Sequence, residues 1–248
     1  MRQLVFIICV LSFPPLDVVQ GEVIFLGPMP YRSAADSPFD RSGLGSTFFL
    51  EDFEDGTVDF PAGVDMWPGF IREASNVTDS VDADDGLIDG TGSAGHSFVP
   101  TVVGATFSFP PIWSTYYRVN FDAGILGTLP TFAGLVVTDG KPSSDNFFSG
   151  FTVLIRDGNG RISNRVFPTE MDNSSNGEVI EDRFFGVAAP EGILEFSVTS
   201  FYEALHFDEY RYEIDHVQFG FGVPEPLLGT LFQVLVSIIA CKWLSQRR

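Results

Sequence analysis

Gly and Pro recur so closely along this chain that no stretch between residues 22 and 223 keeps apolar residues at helical spacing for three turns. Short β-branched and aromatic runs recur instead, bounded by Gly, Asp, Asn or Pro, which is the pattern of strands joined by turns. Such runs lie at Thr47–Phe53, His96–Val99, Ala105–Phe109, Thr115–Phe121, Phe132–Thr138, Phe151–Arg156, Ile162–Phe167, Arg183–Val187, Ile193–Thr199 and Tyr212–Phe221. They predict about ten short strands. Thr106 and Ser108 alternate with Phe107 and Phe109, and Glu195 and Ser197 with Leu194, Phe196 and Val198, as in a sheet with one wet face. Strands without crossover helices between them pair antiparallel, so the expected fold is an all-β, jelly-roll-like sandwich. Asp157-Gly158-Asn159-Gly160 marks the clearest hairpin turn, because Gly and Asn tolerate positive φ.

A chain of 248 residues with 44% hydrophobic and 14% aromatic content can bury a core. Its 33 acidic residues against 14 Lys and Arg give a net charge of −19, which excludes nucleic acid as a partner because that binding rests on basic patches. Cys9 and Cys241 both lie in apolar stretches at the ends, leaving the body no thiol for a disulfide, a nucleophile or a zinc cage. Pro28, Pro30, Pro38, Gly43 and Gly45 among small polar residues read as an extended leader over 22–45, ahead of a sandwich domain at 46–222.

The two ends speak of export. Arg2, the apolar run Leu4–Phe13 and the breakers Pro14, Pro15 and Asp17 have the layout of a signal peptide over 1–21. At the other end, 223–248, Pro224-Glu225-Pro226 leads into the apolar run Leu227–Cys241 and then Lys242, Trp243, Arg247 and Arg248. Fifteen residues at 1.5 Å each span roughly 22 Å as a helix, extended by Trp243, Leu244 and a snorkelling Lys242. The terminal cations resist translocation, so the run reads as a transmembrane helix with the body outside. In this order, Pro224, Glu225, Pro226, the apolar segment and the ending Arg247-Arg248 resemble a PEP-CTERM sorting signal. That resemblance implies a bacterial protein bound for the cell surface or the extracellular polysaccharide. It also implies an exosortase-type enzyme as processing partner and a transient membrane anchor.

Two acidic constellations suggest a hard cation. Asp82, Asp84 and Asp89, within Asp79–Gly90, alternate ahead of glycine turns and can converge on Ca²⁺, which takes several oxygens. This is not an EF-hand, since Ser93 stands where the closing Glu would be required. A solvated loop of Asx turns accounts for the same residues. The second constellation joins the first strand, with Glu51, Asp52, Glu54 and Asp55, to the last, with Glu213 and Asp215. In that last strand Tyr212 and Ile214 share one face while Val217 and Phe219 share the other with Glu213 and Asp215. Either a bulge intervenes or a carboxylate points inward, and an inward carboxylate needs Ca²⁺, Arg211 or backbone N–H groups as its partner.

Asp79–Gly95, Asp182–Val187 and Glu213–Gly220 resemble blocks of uncharacterised exported PEP-CTERM proteins, and the last strand resembles that of jelly-roll carbohydrate-binding modules. The latter resemblance implies a structural calcium site at Asp215 with Glu51, Asp52 or Glu54, and leaves the ligand open, with extracellular polysaccharide a candidate partner. Trp113, following Pro110-Pro111, is the candidate for an exposed ring on which a sugar stacks, although aromatics in a Phe-rich sandwich are mostly core. No Gly-x-Ser-x-Gly elbow occurs, and three histidines, His96, His206 and His216, offer no base beside a nucleophile. The function expected is therefore that of an exported, non-catalytic β-sandwich module at the cell surface or in the extracellular matrix, adhesive, structural or glycan-associated. The alternative is a secreted polysaccharide hydrolase or lyase, which requires paired carboxylates across a cleft.

Overall fold

The computed structural model describes residues 21–39, 48–67, 69–73, 80–81, 95–100, 102–106, 112–140, 150–168, 182–203 and 212–222. Thirteen strands run in chain order: β1 Ile24–Pro30, β2 Phe48–Glu51, β3 Val64–Met66, β4 Gly69–Glu73, β5 His96–Pro100, β6 Val102–Thr106, β7 Ile112–Phe121, β8 Phe132–Gly140, β9 Gly150–Asp157, β10 Ile162–Pro168, β11 Arg183–Ala188, β12 Ile193–Glu203 and β13 Tyr212–Gly220. Among the described residues there are one short α-helix, α1, at Ala123–Leu126 and one 3₁₀ turn at Ala34–Asp36.

The strands form two antiparallel sheets. Sheet A has seven, in the order β1-β11-β8-β13-β5-β4 with β2 also on β13; sheet B has six, in the order β10-β9-β12-β7-β3 with β6 also on β7. The expected all-β sandwich is the observed one. The turn at 157–160 closes the β9–β10 hairpin, with Arg156 opposite Ile162 and Gly160 at φ +79°.

That hairpin is locked by one side chain. Asp157 Oδ1 accepts from the backbone N–H of Asn159 (3.0 Å) and Arg161 (2.9 Å), while Arg161 Nε donates to Oδ2 (3.1 Å). Burial pushes this carboxyl up, but the Arg161 and Asn159 hydrogen bonds outweigh it and hold the pKa below the ordinary 3.8. A depressed native pKa gives stability that is present above 3.8 and lost as pH falls through the native value. In thermal melts from pH 7 to pH 2, Asp157→Asn should therefore melt below the parent at neutral pH. The gap should narrow on the acid side; a gap constant with pH would contradict the linkage.

The main core fills the space between the sheets. Tyr117, Val119 and Phe121 of β7, Val153 and Ile155 of β9, and Phe196 and Val198 of β12 meet Phe185 and Val187 of β11 and Tyr212, Ile214, Val217 and Phe219 of β13. Ring contacts cross it, such as Phe121–Phe219 at 5.1 Å and Phe151–Tyr212 edge-on at 5.3 Å. A second cluster of Tyr31, Phe39, Val81, Phe132, Val136, Phe184 and Ala188 includes alternate residues of β8 and β11 that point away from sheet B. The middle of sheet A, β11, β8 and β13, is thus buried on both faces.

This second core corrects the leader expected at 22–45. Residues 24–30 form β1, paired with β11 from Ile24↔Ala188 to Pro30↔Arg183, and Tyr31 and Phe39 are each only 1% exposed. Prolines mislead here because β1 is an edge strand, where a missing N–H breaks no ladder. A register shift between Leu26 and Met29 accommodates Pro28. The short strands β3 and β4 were also not expected. Among the described residues no helix is long and apolar enough to cross a membrane. The signal-peptide and sorting-signal segments, residues 1–20 and 223–248, lie outside the described residues.

Candidate functional site

The broken phase of β13 resolves as a bulge. Its register against β8 shifts between Tyr212 and Ile214 and again between Asp215 and Gln218, and His216 takes a left-handed φ of 43°. The irregularity keeps Tyr212, Ile214, Val217 and Phe219 all in the core between the sheets. It leaves a run of polar residues, Glu213, Asp215, His216 and Gln218, each under 5% exposed.

Those residues form a seam with the segments laid over sheet A. Ser37 Oγ donates to Gln218 Oε1 (2.6 Å), and Gln218 Nε2 donates to Tyr31 Oη (2.7 Å). Tyr31 Oη also shares a hydrogen bond with His216 Nδ1 (2.9 Å), in which the donor is set by the His216 tautomer. Asp215 Oδ1 accepts from His216 N (2.7 Å) and Oδ2 from Val81 N (2.8 Å). Farther along β13, Ser97 Oγ donates to Glu213 Oε2 (2.8 Å), with Arg72 at 4.0 Å from the other oxygen.

The first-strand acids also bind backbone. Glu51 Oε1 accepts from Phe53 N (2.9 Å) and Oε2 from Asp59 N (2.6 Å), closing the loop after β2 around the left-handed Phe53. Burial pushes the Glu51 carboxyl up, opposed by the Asp59 and Phe53 hydrogen bonds. Asp52 Oδ1 accepts from Glu54 N (3.3 Å), and Glu54 Oε1 from His96 N (2.7 Å). Glu51 and Asp215 each turn both oxygens to N–H donors. Among the described residues, no three of His, Cys, Asp and Glu gather as cation ligands would. Of the grouping Glu51, Asp52, Glu54 and Asp215, the first and last spend both side-chain oxygens on backbone N–H groups, and Asp52 and Glu54 spend one each.

Asp82, Asp84 and Asp89 lie outside the described residues, as do Pro224, Glu225, Pro226, Arg247 and Arg248. The strap Ser80–Val81 immediately before the acidic loop is described, and Asp215 holds it down. Trp113 lies in β7 opposite Tyr202 of β12.

Two surface features escaped the sequence reading. On the outer face of sheet B, the Arg118 guanidinium lies 4.7 Å from the Trp67 ring centre and 5.4 Å from that of Tyr116. Glu195 sits 4.0 Å from Arg118 and 3.2 Å from Arg156. Burial pushes the Tyr116 hydroxyl up. Tyr116 and Arg118 are alternate residues of one strand, a signal visible in sequence, but their meeting with Trp67 depends on β3 pairing with β7. The second feature is an open groove of about 930 Å³ between the edge strands β1 and β10, walled by Glu22, Val23 and Phe25 on one side and Arg161, Ile162 and Arg165 on the other.

No family model matches the chain, and no curated protein matches it in sequence. Among solved structures it is similar to the K1 cleaved adhesin domain of Lys-gingipain (Kgp) from Porphyromonas gingivalis W83. The match has 12% identity and a TM-score of 0.36, covering 71% of this chain and 99% of that one. Likeness at that level fixes neither fold nor activity.

Proposed function

We propose that the chain is an exported, non-catalytic β-sandwich module of adhesive or structural type. In this reading it is displayed at the cell surface or in the extracellular polysaccharide and delivered through its C-terminal PEP-CTERM-like signal. One observation carries the non-catalytic part: Glu51, Asp52, Glu54 and Asp215, the acids a chemical role would draw on, are each engaged by backbone N–H groups and hold loops to the sandwich. A jelly-roll-like topology belongs to this reading and is supported by the alternation of β10 to β13 between the sheets. The proposed partners are an exosortase-type enzyme acting at Pro224, Glu225 and Pro226, the membrane before processing, and a polysaccharide of the matrix.

Intact-mass analysis of the exported protein tests delivery. Loss of the C-terminal segment from near Pro224 supports processing, and an uncleaved chain retained in the cytoplasm overturns the reading. Binding of the purified body to a glycan array, with and without Trp113→Ala, tests the sugar ligand.

Calcium enters this proposal through Asp82, Asp84 and Asp89 alone. An ion bound only by the native state raises stability with its concentration. Millimolar Ca²⁺ should then raise the melting temperature, EDTA should reverse the rise, and neutralising the three aspartates together should abolish it. A melt that calcium and EDTA leave unchanged removes calcium from the proposal.

A further inference from the structure

Strand β10 closes one side of sheet B, and among the described residues it pairs with β9 alone. Asp157 N donates to Arg161 O (2.9 Å) where the hairpin begins, which sets the alternation of an antiparallel ladder. From that start, the backbone groups of residues 161, 163, 165 and 167 face β9, and those of Ile162, Asn164 and Val166 face outward. The side chains of Ile162 and Val166 are 59% and 55% exposed, among the most exposed large apolar residues in the fold. A seven-residue edge with free N–H and C=O groups and bare apolar side chains is a template for strand addition.

Charge selects the occupant. Arg165 is exposed, its guanidinium lies 5.2 Å from the Phe167 ring centre, and it has no acidic partner among the described residues. Arg161 beside it is already paired with Asp157 at 3.1 Å. A second copy of β10 pairing antiparallel about Asn164 would place the two Arg165 side chains on one face two positions apart. Pairing about Arg165 would set them directly opposite, which like charges disfavour. The facing edge β1 is no competitor, since Pro28 and Pro30 lack N–H groups to offer. We propose that the β10 edge docks an acidic extended peptide of another protein, which adds antiparallel to sheet B. The peptide sets a carboxylate against Arg165 and apolar residues against Ile162 and Val166. This goes beyond the surface-module reading and stands whether or not that module binds sugar.

The probe is a fluorescein-labelled peptide, Thr-Val-Glu-Thr-Thr-Val-Thr, measured by anisotropy against the full chain; its two Val and one Glu fall opposite Val166, Ile162 and Arg165. Asn164→Pro removes an outward N–H while leaving the β9 ladder intact, and should weaken binding tenfold or more. Arg165→Glu should weaken it as much, and a peptide with Lys in place of Glu should recover binding to that variant only. Circular dichroism melts confirm that both variants fold. Binding that neither variant changes, or no binding at millimolar peptide, overturns the proposal. So does concentration-dependent self-association abolished by Asn164→Pro, which would make a second copy the occupant.

Discussion

Replacing Phe184 with Ala is expected to cost the fold about 3–5 kcal/mol, the range for emptying a fully buried phenylalanine site. The ring is 0% exposed, stacks on Tyr31 at 6.0 Å between centres and meets Phe39 edge-on at 5.4 Å. Its space is made by two glycines: a Cβ at Gly134 would lie 2.3 Å from Phe184 Cζ, and one at Gly186 2.7 Å from Cε1. Small residues beneath and a strap above leave nothing positioned to fill the void. The same variant should expose residues 24–39 to limited proteolysis, because Phe184 joins that segment to sheet A. Phe70→Ala, on β4 and 47% exposed, serves as the control and should cost less than half as much, since about half of its surface already meets water. Equal losses in the two variants would show that the second core holds no more than the surface does.

That second core is also where sequence reasoning stopped. Of the strands that line the main core, β7 and β9 were legible from alternation over five residues or more, and β11 and β13 from their aromatic and β-branched runs between turn residues. The β9–β10 hairpin was legible from its Gly and Asn. β1 was not, because Pro28 and Pro30 carry the signature of a linker and only a partner strand reveals them as edge residues. Tyr31 and Phe39 stand singly among polar residues, and no periodicity marks a side chain that is buried by lying across a sheet. β3 is three residues long, too short to show a period of two.

The candidate site divides the same way. The phase break at Asp215 was visible, and its two resolutions, a bulge or an inward carboxylate, could be written down from the sequence. Choosing between them required knowing that a cover exists over the outer face of sheet A. The calcium grouping of Glu51, Asp52, Glu54 and Asp215 came from a resemblance that requires their two strands to be neighbours, and neighbours they are: Glu51 lies opposite Val217 in the β2–β13 pair. What residue type cannot tell is whether an acid's oxygens point to an ion or to amides. The Arg165 edge was invisible for a related reason, since an exposed arginine on a strand has meaning only once that strand is known to lie at the end of its sheet.

The anchoring role of Asp215 makes a demand that a ligand role does not. Its side chain is 0% exposed and receives two backbone N–H groups, at 2.7 and 2.8 Å, one from the bulge and one from the strap. Asp215→Ala leaves both donors buried without that acceptor, at about 1–3 kcal/mol each, so a loss of about 2–6 kcal/mol is expected. Asp215→Asn keeps one acceptor and turns an amide toward the other donor, and should fall between Ala and the parent. Were Asp215 a calcium ligand, the penalty of either change would shrink once EDTA had removed the ion from the parent. As a backbone anchor it should be the same with and without chelator. Hydrogen exchange supplies the local readout: the amides of Val81 and His216 should lose protection together in Asp215→Ala, beyond what the global loss of stability explains. If only the His216 amide responds, Asp215 stabilises the bulge and the strap is held by its apolar contacts alone.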